Sequence, residues 1–113
     1  MARFRAVHTA MLKPETDPEA FSDFMKREFL PATSRLQGCL DAELLRAYRG
    51  SLPGVAPSKP DFAWITLWES VDANNAVWSR DGVHEPPEEL RDLLGKLYAY
   101  AATVTLVGGF TVE

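Results

Sequence analysis

Asp61 to Ser70, DFAWITLWES, is the stretch whose reading decides the fold. In an extended chain Phe62, Trp64, Thr66 and Trp68 point to one side, and Ala63, Ile65 and Leu67 to the other. Both sides are apolar, whereas a strand with one wet face alternates apolar with polar residues. Each large side chain left in water would forgo roughly 1.5–3 kcal/mol. The strand is therefore expected to be dry front and back. Helices of this chain can cover one face, and the other needs a second protein. The expectation is a sheet with helices on one side, a partner subunit on the other, and a pocket between layers.

The 113 residues make one domain, 1–113, with a core that needs neither disulfide nor metal. Net charge is −4 and the 12 basic residues are scattered, which argues against nucleic acid as a partner. The single cysteine, Cys39, excludes an internal disulfide, fits a reducing compartment, and reads as a small buried hydrophobe. The opening MARFRAVHTAML has no apolar run of signal-peptide length before Lys13-Pro14, and no segment is long enough to span a membrane. A cytoplasmic protein without a membrane partner is expected.

Upstream of the quoted stretch, Phe4 to Leu12 reads as a first strand, with Phe4, Ala6, His8, Ala10 and Leu12 on one face. Asp17-Pro18 starts a helix as N-cap and first residue, and Phe21, Phe24, Met25 and Phe29 follow at helical spacing. Pro31 is expected to kink or break it, and Gly38 to close it as the C′ residue. Leu40 to Tyr48 is a second strand. The loop from Arg49 to Pro60 is long enough to be either an arm touching the partner or a lid.

Downstream, Ser70 caps a short helix to about Ser79, with Ala73, Ala76, Val77 and Trp78 facing inward. Arg80-Asp81-Gly82 breaks it, and Pro86-Pro87 opens a helix with a leucine stripe. Gly95 inside that helix implies close packing against a neighbour. Thr103 to Val112 is the last strand, with Gly108-Gly109 marking a bulge or close backbone approach. The order β-α-β-β-α-β predicts an α+β, ferredoxin-like antiparallel sheet with helices on one face. The bare second face predicts a homodimer joined sheet to sheet.

With these elements placed, FxxFMKREFLPATSRLQGCLDAELLR and the WITLWES that opens a helix resemble the antibiotic-biosynthesis-monooxygenase-like domains of the dimeric α/β-barrel superfamily. The likeness spans nearly the whole chain and is strongest at Gly38-Cys39 and Trp68-Glu69-Ser70. It implies oxygenation of polycyclic aromatic polyketides without a cofactor, or cyclisation in more distant branches. A haem-degrading branch implies haem as the alternative guest. That branch's strand asparagine, helix tryptophan and downstream histidine fall near His8, Trp78 and His84.

The residues leave two roles open at each position. His8 is either a hydrogen-bonded core histidine or a neutral imidazole lining a pocket, where burial lowers its pKa and leaves it free to act as a base. His84 is a surface residue in a turn, or a donor or haem ligand at a pocket mouth. Trp64, Trp78, Tyr48 and Tyr98 are core packing or the wall of a cavity for a flat aromatic ligand. Arg46, on the face of Tyr48, is a solvated edge residue or an anion contact. No metal constellation, phosphate loop or nucleophilic triad is present. Two function classes remain: an oxygenase or cyclase using His8, Trp78 and His84, and a dimeric binding module without catalysis.

Overall fold

Strand β3 (Phe62–Trp68) lies inside a four-stranded antiparallel sheet in the computed structural model, which describes residues 1–113. Its neighbours are β1 (Phe4–Leu12) and β2 (Cys39–Arg46), and β6 (Ala101–Thr111) flanks β1, giving the order β2-β3-β1-β6. This is the ferredoxin-like arrangement expected from the element order. Phe62, Trp64, Thr66 and Trp68 are buried beneath the helices, while Ala63 and Ile65 on the opposite face are half-buried.

Local chemistry sets the helix starts. Asp17 accepts the Glu19 N–H at 3.1 Å and Pro18 opens α1 (Pro18–Phe24); Ser70 accepts the Ala73 N–H at 3.0 Å and opens α3 (Val71–Trp78). Pro31 does not break the first helix. A π-helical turn over Met25–Phe29, closed by the Leu30 N–H on the Met25 carbonyl, carries the chain into α2 (Leu30–Ser34). The widened turn makes room for a proline ring that would otherwise press on the preceding turn. Arg35, not Gly38, caps α2; Gly38 (φ +85°) turns three residues later, where a Cβ would lie 2.8 Å from that of Ala73.

After α3 the chain forms a small hairpin, β4 (Ser79–Arg80) with β5 (Val83–His84). Asp81 and Gly82 both have positive φ, 54° and 77°, as a two-residue type I′ turn requires. A 3-10 turn over Glu88–Leu90 then leads into α4 (Arg91–Tyr100). Gly95 overturns one expectation: it faces open space, with nothing within 4 Å of where a Cβ would stand. Gly109 meets the other one. A side chain there would collide with the ring of Phe4, two pairs along the β1–β6 ladder, and that ladder bulges between Val7 and His8.

The main core joins Phe21, Phe24, Met25, Phe29 and Leu30 of the helices to Phe62 and Trp64 of the sheet. A smaller cluster around Trp68 takes Leu36 and Leu90, and the Trp68 indole N–H donates to Thr66 Oγ1 at 2.8 Å. The outer sheet face carries no helix. Val7, Thr9 and Ile65 are half-buried there, and Met11, Leu45 and Phe110 are 45%, 40% and 57% exposed.

Candidate functional site

Between the sheet and the helices lies a cavity of about 610 Å³. Three small residues that face one another across β3, β1 and β6, Thr66, Ala6 and Gly109, lie on its floor. The rows on either side are bulky, Leu44-Trp64-His8-Leu106 and Cys39-Trp68-Phe4-Thr111. A trough therefore runs across the helix-facing side of the sheet. Helix α3 roofs it and buries none of its own residues, so Ala76, expected to face inward, is exposed.

His8, Trp64, Trp78, His84 and Tyr98 all line this cavity. The His8 ring lies on Trp64 with centroids 5.4 Å apart and planes 4° from parallel, and Phe29 meets Trp64 edge-on at 6.2 Å. Trp78 at the end of α3 and His84 in β5 lie nearly parallel, 16° apart with centroids separated by 6.5 Å. Tyr98 is half in solvent at the mouth.

Arg46 and Tyr48 are not on this wall. Arg46 pairs with Glu19 at 2.6 Å and lies over the Phe62 ring at 5.0 Å, so its charge is already answered at the edge of the sheet. That guanidinium also holds the Glu19 carboxyl below its ordinary pKa. Tyr48 falls beyond the end of β2, which stops at Arg46, and is 62% exposed beside Gly50. No residue of the loop over 47–61 lines the cavity, which removes the lid reading of that loop for this cavity. Arg49 holds the loop, donating to the carbonyls of Ser58 and Pro60 and pairing with Asp61 at 3.1 Å.

The electrostatics centre on His8. Its Nδ1 is buried without a hydrogen-bond partner, and burial pushes the imidazole down to about 4 from its ordinary 6.5. It is neutral at physiological pH, with an unused lone pair or N–H. The unfolded chain takes up a proton near pH 6.5 that the folded chain refuses until about pH 4. Stability is accordingly lost as pH falls through that window. Cys39 is half-buried, and burial raises its thiol above the ordinary value, so it is a packing residue rather than a thiolate.

None of the 20 lining residues is Asp, Glu, Lys or Arg. The polar groups are the Trp78 indole, the Tyr98 hydroxyl, the amides of Asn74 and Asn75, and the hydroxyls of Thr33, Thr66 and Ser79. The Thr33 proton is already given to the Phe29 carbonyl at 2.9 Å. Asn74 and Asn75 did not stand out in the sequence, where a polar pair on a short helix reads as solvated. The hairpin could have been found from Asp81-Gly82. No group of three or more His, Cys, Asp or Glu side chains is arranged to hold a metal ion.

No family model and no curated protein matches the chain. Solved structures do. A variant of SnoaB, a cofactor-independent oxygenase from Streptomyces nogalater, superposes with TM-score 0.70 and 18% identity, covering 100% of this chain and 95% of that one. A dimeric protein of unknown function with a ferredoxin-like fold, from Bacteroides fragilis, gives 0.61 and 11%, over 99% and 98%. The chain shares the ferredoxin-like fold of these proteins. A hydroxynitrile lyase from Passiflora edulis shares it at TM-score 0.69 and 7% identity, over 99% and 94%. One fold thus carries an oxygenase and a lyase, and activity has to be argued from the cavity.

An unpartnered polar atom in a protein interior costs about 1–3 kcal/mol. His8→Phe keeps a ring against Trp64 and removes that atom. The variant is expected to be more stable than the wild type by about 1 kcal/mol in urea unfolding at pH 7, and a loss of stability would contradict the assignment of Nδ1 as unsatisfied.

Proposed function

We propose that this chain is a cofactor-independent monooxygenase acting on a polycyclic aromatic, polyketide-type phenol or anthrone held in the cavity between sheet and helices. The observation that carries the proposal is a neutral, unpartnered His8 imidazole on the wall of an aromatic chamber without formal charge. A volume of about 610 Å³ suits a ligand of several fused rings. The same fold in a cofactor-independent oxygenase supports the reading.

Little is asked of the protein. His8 takes a proton from an acidic ring CH2; burial makes it a weak base in the ligand-free protein, and the new enolate facing it stabilises the imidazolium formed. The Trp78 indole, the Tyr98 hydroxyl and the Asn74 amide are the donors along the wall for the enolate oxygen. His84, nearly parallel to Trp78 with ring centroids 6.5 Å apart, flanks that indole. The carbanion reduces O2, the pair combines as a hydroperoxide, and loss of water leaves a carbonyl. In sum CH2 and O2 become C=O and H2O, with every electron supplied by the substrate. Haem would have to keep its propionates in the solvent at the mouth, because the wall offers them neither Arg nor Lys.

Incubation with an anthrone under air, followed by mass spectrometry, is expected to show gain of one oxygen with loss of two hydrogens. His8→Gln should lower the rate about 10²–10⁴-fold. Loss of water alone from a linear or partly cyclised precursor would make the protein a cyclase using the same base. No change in either substrate would contradict both readings.

We also propose that two copies join through the bare sheet face. Val7, Ile65, Met11, Leu45 and Phe110 supply apolar surface, and Arg5 and Asp41, on either side of Leu67, make the face self-complementary in charge. The fold's occurrence in a dimeric protein supports this. Sedimentation at micromolar concentration is expected to give the mass of two subunits and Ile65→Lys the mass of one. A monomeric wild type would contradict the proposal.

A further inference from the structure

The cavity wall carries no formal charge. Its sheet-side floor is Ala6, His8, Trp64, Thr66 and Gly109, and its inner end is closed by Phe29 and Leu97. No cation of the neighbouring elements is on the wall, and three of those nearby are each paired with a carboxylate: Arg80 with Glu85 at 3.3 Å, Arg91 with Glu88 at 2.7 Å, and Lys96 with Glu28 at 2.9 Å. A carboxylate carried into the closed end would lose its water and meet no positive charge, which is far more costly than burying a neutral polar group. At the mouth, where Tyr98 and Leu106 are in solvent, a charge keeps its hydration.

We infer that this protein accepts polycyclic aromatics whose leading ring is uncharged, and tolerates an acid only on the trailing ring that remains at the mouth. The inference deepens the proposed function and rests on the ligand occupying this cavity. It also orders the chemistry: an acid on the leading ring has to be lost by decarboxylation or masked as an ester before this protein acts. The wall's donors, the Trp78 indole and the Asn74 and Asn75 amides, suit carbonyl and phenol oxygens instead.

The probes are anthraquinone-2,6-dicarboxylate, its dimethyl ester and the 2-monocarboxylate, titrated at pH 7.5 against the fluorescence of Trp64 and Trp78. The dicarboxylate has to bury one charge in either orientation, whereas the monocarboxylate can turn its acid outward. The diester and monocarboxylate are expected to bind, and the dicarboxylate to bind about 10²-fold or more weakly than the diester. Leu106→Arg, at an exposed position on the wall, should tighten the monocarboxylate relative to the diester. Equal binding of dicarboxylate and diester would overturn the inference while leaving turnover of a neutral anthrone intact. Binding of none of the three probes would overturn both the inference and the occupancy on which the proposed function rests.

Discussion

Pairing of β1 with β3 sets His8 opposite Trp64, and the two rings lie flat on one another under the helices. Everything at the site follows from that register. A slip of one residue would turn His8 to the outer face and bring Val7 or Thr9 inside. Backbone and side chain of Asp61 prevent the slip: its N–H donates to the Ala10 carbonyl, and its Oδ2 accepts the Leu12 N–H at 2.8 Å. Arg49 in turn holds Asp61 from the loop. A segment that lines no part of the cavity thus positions the residue that matters most within it.

The cavity is a deliberate shortfall in packing. Thr66 and Ala6, paired across β3 and β1 on the cavity floor, leave space that a sequence optimised for stability would fill with a leucine or a phenylalanine. The short α3 spans the trough without burying a side chain in it, and the hairpin carrying His84 extends that roof. An orphaned imidazole nitrogen adds to the deficit. Features that weaken a fold while leaving a lined, uncharged space are where binding and chemistry concentrate.

How much of this was legible in the sequence depends on the range of the interaction. The caps at Asp17 and Ser70 are local and read correctly, as does the alternation that puts His8, Trp64 and Thr66 on one side of the sheet. Face alternation also sufficed to gather His8 and Trp64, and the aromatic count brought in Trp78 and Tyr98. Arg46 and Tyr48 went astray because alternation says nothing of where along a strand a cavity lies, and β2 ends before Tyr48. Pro31 was expected to kink or break the helix; the chain runs on through it by a π-helical turn that lies upstream and has no sequence mark. The small-residue row is invisible until the register aligns Ala6, Thr66 and Gly109, which are far apart in the chain.

The account stands on His8 being a neutral, desolvated imidazole beside an uncharged chamber. Proton NMR of the imidazole resonances across pH, with His84→Ala used to assign them, measures this directly. The account predicts that His8 in the ligand-free protein titrates with a midpoint near about 4. A midpoint near the ordinary 6.5 would contradict it.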